Sequence, residues 1–310
     1  MQTKKFIFKA KDNKDIFAIK WSPDNESDIK AVIQLNHGMA EHKERYEYFA
    51  EKLVEKGFVV YIHDHRGHGE TAIDESEIGY FSAENGWTKV VEDIHFLTIK
   101  IKKEYPDLPI FLFGHSMGSV LVRDYITQYD ENFAGVIIFG TASNPGLLGK
   151  IGIKITKIEK FRLGKKGKSK LLNALTFGDF NKKFKPNRTD FDWLSRDNNS
   201  VDKYINDPYC GFICTTKFFE DMITGTIAVN NLEKIDNINR DTNIYIASGA
   251  SDPVGAYSKG VRKIYDAYKA RGINHLTLKL YSSARHELLN ETNKDEIIND
   301  LIIWMDSLVK

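Results

Sequence analysis

The 310 residues carry 44 Lys and Arg against 43 Asp and Glu, with 42% hydrophobic and 28% charged residues. This balance describes a folded chain with a sizeable core and excludes intrinsic disorder, and a formal charge of +1 gives no electrostatic reason to expect a nucleic-acid partner. No apolar run approaches the roughly 20 residues that cross a bilayer, and the N-terminus lacks the apolar stretch of a signal peptide, so a cytoplasmic location is expected.

In chain order, alternating residues at 5–10 and 15–21 flank the turn-forming Lys11-Asp12-Asn13-Lys14 and predict an antiparallel hairpin. Short apolar runs at 31–35, 58–62, 110–113, 136–139, 243–247 and 276–281 predict buried strands. Helical periodicity over 45–56, 87–104, 117–128, 258–270 and 294–308 separates or follows them. Strand–helix alternation predicts an α/β fold with a mostly parallel central sheet and helices on both faces. The interval between the strands near 139 and 243 is too long for a simple crossover, which predicts a core domain of residues 1–140 and 241–310 with an inserted cap at 141–240. Within it, 150–170 interleaves lysines with Ile151, Ile153, Ile155, Ile158 and Phe161, a pattern suited either to a solvated cap face or to peripheral contact with anionic lipid.

The cysteines, Cys210 and Cys214, lie four apart. On a helix that spacing stacks two thiols on one face without disulfide geometry, and no further ligand is clustered near them in sequence, so reduced structural cysteines and no metal site are expected.

Gly114-His115-Ser116-Met117-Gly118 fits G-x-S-x-G where a predicted strand turns directly into a predicted helix. A serine on that turn is exposed over the sheet edge, and the Met117 amide that follows stands at a helix N-terminus, suited to an oxyanion. A hydroxyl needs a base, and of nine histidines His286 follows the 276–281 strand at the same edge, whereas His275 precedes that strand. Asp252, after the 243–247 strand, is placed to fix the His286 tautomer, and the order Ser116, Asp252, His286 is that of the nucleophile-elbow hydrolases. The loop after 31–35 carries His37-Gly38-Met39, in which Gly38 lets the chain turn so that the Met39 amide supplies a second oxyanion donor. His37, Gly38 and His115 are the supporting residues of this site. The expected chemistry is acyl transfer to Ser116, with no cofactor required.

These residues carry a family resemblance. His37-Gly38-Met39-Ala40-Glu41-His42 with Arg45-Tyr46, Asp64-His65-Arg66-Gly67-His68-Gly69, the Ser116 motif, Asp207-Pro208-Tyr209-Cys210-Gly211-Phe212 and Arg285-His286-Glu287-Leu288-Leu289-Asn290-Glu291 together resemble the monoacylglycerol lipase and lysophospholipase branch of the α/β-hydrolases over nearly the whole chain. The resemblance implies the α/β-hydrolase fold, a carboxylic ester with one acyl chain as small-molecule substrate, and a cap over an acyl pocket. Thioesterase, short-chain carboxylesterase and aminopeptidase activities use the same triad, and a noncatalytic ligand-binding member of the fold is the alternative of a different class. Nothing in the sequence sets the oligomeric state.

Overall fold

The computed structural model describes residues 1–309. One eight-stranded sheet runs in the order β1-β2-β4-β3-β5-β6-β7-β8. Its strands are β1 (Gln2–Lys9), β2 (Asp15–Ser22), β3 (Ala31–Asn36), β4 (Phe58–His63), β5 (Ile110–His115), β6 (Gly135–Phe139), β7 (Asn243–Gly249) and β8 (His275–Tyr281). The first two form the expected hairpin, β2 joins β4 antiparallel, and every later pairing is parallel.

The helices are α1 (Glu47–Val54), α2 (Gly86–Glu104), α3 (Met117–Tyr125), α4 (Gly146–Leu163), α5 (Lys170–Phe177), α6 (Asn198–Asn206), α7 (Thr216–Val229), α8 (Leu232–Ile235), α9 (Lys259–Ala270) and α10 (Lys294–Asp306). Strand side chains alternate between the two faces of the sheet, and the core divides accordingly. Phe111, Phe113, Ile137, Phe139 and Tyr245 pack with α1 and α10, while Leu112, Val136, Ile138, Ile244 and Ile246 pack with α2, α3 and α9. Burial on both faces explains why these strands read as continuous apolar runs rather than as alternating ones.

Residues 140–242 leave the sheet between β6 and β7 and carry α4 to α8. Both ends of this insertion are held by Arg123 of α3, fully buried, which donates to the Ala142 carbonyl at 2.9 Å and to Asn230 Oδ1 at 2.8 Å. The described helices include none long and apolar enough to cross a membrane. Parallel register brings the C-terminal ends of β3, β5, β6, β7 and β8 to one rim, with Asn36 beside Gly114, His115 beside Phe139 and Gly249 beside Tyr281.

Candidate active site

At that rim β5 ends on His115 and α3 starts on Met117, so Ser116 carries the whole reversal. Its backbone sits at φ 52°, ψ −119°, a region that L-residues rarely adopt and that stores strain. The turn is tied down by the Ser116 N–H donating to the Phe139 carbonyl at 2.9 Å and by the Ser119 hydroxyl donating to the Ser116 carbonyl at 2.5 Å. It also requires its two glycines: a Cβ on Gly114 would lie 2.4 Å from the Gly118 carbonyl oxygen, and one on Gly118 would lie 2.2 Å from that of Asn36. Met117 occupies the first position of α3, where a backbone N–H has no intrahelical acceptor.

Asp252 and His286 arrive from the loops after β7 and β8 and are both buried. His286 Nδ1 lies 3.0 Å from Asp252 Oδ2. A carboxylate only accepts, so Nδ1 carries the proton and Nε2 is left as the basic nitrogen. Asp252 is itself fixed by the Val254 N–H at 2.8 Å and the Ser248 hydroxyl at 3.3 Å. Burial by itself lowers the His286 pKa, but the adjacent Asp252 charge and its hydrogen bond outweigh it, and the net shift is upward from 6.5. The ring is held between His115, with centroids 4.8 Å apart, and Trp193 of the insertion, 5.2 Å away. His115 is kept neutral, pushed down to about 3 by burial and by the neighbouring His286. Among the described residues no hydrogen bond joins the Ser116 hydroxyl to His286. His115 is the neighbour common to their surroundings: a Cβ on Gly140 would touch both His115 and His286, and one on Gly38 would lie 3.1 Å from Ser116 Cβ and 3.4 Å from the His115 ring.

The loop after β3 is fixed by its own polar groups. His37 Nε2 accepts the His65 N–H at 3.0 Å, which places the ring proton on Nδ1, 2.7 Å from the Gly38 carbonyl oxygen to which it donates. Because a trans peptide is planar, holding that carbonyl also sets the direction of the Met39 N–H in the same unit. On the other side the Gly38 N–H donates to Glu41 Oε1 at 2.5 Å.

Sequence reasoning assigned no role to Glu41, Arg45, Glu287 or Trp193. Arg45 donates twice to Glu287 and once to Glu41, all at 2.7 Å, and this half-buried guanidinium between two buried carboxylates connects the His286 loop to the Gly38 loop. Their partners lie up to 242 residues apart, so the sequence signal is limited to charges embedded among apolar residues. The cysteine reading also changes. Residues 207–215 do not form a helix, so Cys210 and Cys214 do not stack on one face, and the fold brings the remote His42 to Cys210 beside Asp207, which stands three residues before that cysteine. Cys214 packs instead against Gly79.

Comparison with known proteins places this geometry. A family model described as serine aminopeptidase, S33, matches residues 27–293. The chain is 27% identical to the monoglyceride lipase homolog of Monkeypox virus over 96% of this chain and 97% of that one. It is 26% identical to the monoglyceride lipase of Mus musculus over 96% of this chain and 88% of the other. A carboxyl esterase from Bacillus coagulans, solved in complex with glycerol, superposes over 100% of both chains with a TM-score of 0.91 and 27% identity.

Proposed function

The chain belongs to the serine aminopeptidase S33 family and is a carboxylic ester hydrolase of the α/β-hydrolase fold, and we propose that it cleaves esters carrying a single acyl chain, of the monoacylglycerol or lysophospholipid type, through Ser116, His286 and Asp252. The observation that carries this reading is the buried His286–Asp252 pair, 3.0 Å apart, on the rim where Ser116 is held in its strained turn.

The Ser116 oxygen attacks the ester carbonyl while His286 Nε2 takes its proton, and the imidazolium so formed is stabilised by Asp252, which stays ionised. The Met39 and Met117 amides hold the oxyanion, a contribution of about 3 kcal/mol per donor to the barrier. His286 then returns the proton to the leaving alcohol, and water resolves the acyl-enzyme by the same steps in reverse order. A peptide substrate with a free α-ammonium needs an available anion, whereas Glu41 and Glu287 beside the site are both tied to Arg45. That favours the ester.

The insertion at 141–240 is the cap of this proposal, and its first helix is the part that meets lipid. On α4 the small Gly149 and Gly152 face Ile227 and Ile223 of α7. Leu147, Leu148, Ile151, Ile158 and Phe161 point outward, Phe161 being 94% exposed, with Lys150, Lys154 and Lys157 among them. An apolar row turned to water beside lysines suits the interface of an anionic lipid aggregate. Lys165, Lys166 and Lys168 are less suited, because they reach back to the Ala83 carbonyl, the Tyr80 ring and the Phe212 ring. The test is a kcat/KM profile over monoacylglycerols, lysophospholipids, p-nitrophenyl esters of graded length and aminoacyl p-nitroanilides. The monoacyl lipids are expected to lead, and preference for the anilides would overturn the substrate class.

A further inference from the structure

Away from Ser116, side chains from two distant parts of the chain, His42 on one side and Asp207 with Cys210 on the other, meet where the loop after β3 touches the insertion. We infer that His42, Asp207 and Cys210 form a binding site for a thiophilic divalent cation of the zinc type. Their ligand atoms all lie within 4.8 Å of one another. Zinc–ligand bonds of about 2.0 to 2.3 Å in a tetrahedron place ligand atoms on the order of 3.5 Å apart. His42 Nε2 and Asp207 Oδ2, at 2.8 Å, must therefore open slightly while the widest pair closes.

The surroundings of His42 and Asp207 favour this arrangement, whereas burial pushes the Cys210 thiol up, a cost that the metal–thiolate bond must offset. His42 is 5% exposed, and its Nδ1 has no hydrogen-bond partner among the described residues. Glu44 Oε2 stands 3.3 Å from that nitrogen, near enough to become, after a small rotation, the outer carboxylate that orients a metal-bound imidazole through its far nitrogen. Asp207 Oδ1 accepts the Tyr209 N–H at 2.8 Å, which leaves Oδ2 turned to His42. The Cys210 N–H donates to the Asp207 carbonyl at 3.0 Å, so a single turn presents both insertion ligands. Cys210 is a free thiol. Arg45, the nearby cation, is already neutralised by Glu41 and Glu287.

One nitrogen, one carboxylate and one sulfur select zinc over magnesium or calcium, which prefer oxygen alone. An open surface groove lined by His42, Asp207 and Tyr209 provides the entry path and room for a water at the fourth position. On binding, the Cys210 thiol loses its proton to solvent, and the His42 proton, on Nε2 while that nitrogen donates to Asp207 Oδ2, shifts through solvent to Nδ1 so that Nε2 is free for the metal; thiolate and carboxylate then balance the ion's two charges. The ion bridges the oxyanion-loop segment and the insertion where the Gly211 N–H and the Tyr204 hydroxyl already reach the Ala40 carbonyl, both at 3.0 Å. It thus acts as a clamp between the two.

The reduced, chelator-treated full chain is titrated with Zn²⁺ against a chromophoric chelator, and separately with Co²⁺. One ion per chain is expected, bound at least tenfold more weakly in Cys210→Ser and in His42→Asn and with unchanged affinity in Cys214→Ala. Co²⁺ is expected to give a thiolate charge-transfer band that Cys210→Ser lacks, and Zn²⁺ to raise the thermal midpoint of the unmutated chain and of Cys214→Ala, and far less that of Cys210→Ser and His42→Asn. Absence of one-to-one binding, or binding without the thiolate band in the unmutated chain, overturns the assignment, and that spectrum decides the matter even where a variant fails to fold.

Discussion

Arg45 grips Glu287 with two parallel hydrogen bonds of 2.7 Å, one residue from the His286 ring. Burial pushes the Glu287 carboxyl up, but the Arg45 charge and hydrogen bonds overcome it and hold the group down at about 2. Arg45→Met therefore leaves two buried carboxylates without a cation and is expected to cost about 3 to 5 kcal/mol near neutral pH, read from urea unfolding. The pH dependence follows from the sign. In the unmutated chain the Glu287 contribution is present above its unfolded pKa near 4.3 and is lost as pH falls towards about 2. In Arg45→Met burial alone raises Glu287, so the loss of stability should shrink as the solution is acidified through pH 4.

Asp252→Asn tests the orienting carboxylate. Without its charge, burial dominates His286 and the imidazole pKa drops below its ordinary 6.5 instead of lying above it. The acid limb of kcat/KM should move to lower pH, while kcat falls by about 10³ to 10⁴ through loss of the correct tautomer. An unshifted acid limb would mean that another group governs the profile.

Gly38→Ala tests the proposed oxyanion loop. The added Cβ would meet Glu41 Oε1 at 2.6 Å and Ser116 Cβ at 3.1 Å, so the Gly38–Met39 peptide must move. Because one oxyanion donor is lost, kcat should fall about 10² to 10³-fold with KM little changed. Circular dichroism should remain that of the unmutated chain.

The outward row of α4 predicts a separation of surface binding from chemistry. Phe161→Glu removes a 94% exposed ring and adds a charge of the wrong sign for anionic vesicles. Binding to such vesicles should weaken roughly tenfold, about the burial energy of one large side chain. Hydrolysis of p-nitrophenyl acetate should be unaffected.

The strands and the Ser116 turn were legible because they are local. The runs at 58–62 and 110–113 reappear as Phe58–His63 and Ile110–His115, and the helix expected at 87–104 begins one residue earlier. Chain order along a parallel sheet then put Asp252 and His286 at the rim, since each follows its strand. What escaped depends on tertiary contact: Trp193 against His286, Glu287 on Arg45, and Asp207 beside His42 across 165 residues. No periodicity records such pairs. Helix ends also shifted, as where 45–56 became a short 3₁₀ turn at Lys43–Tyr46 followed by α1.

Stoichiometric labelling by a fluorophosphonate, mapped by peptide mass spectrometry, bears most directly on the assignment of the nucleophile. One adduct per chain on Ser116, formed in step with the loss of esterase activity and absent from a folded, inactive Ser116→Ala, is the predicted result. An adduct on another residue, or ester turnover persisting undiminished in Ser116→Ala, would contradict it.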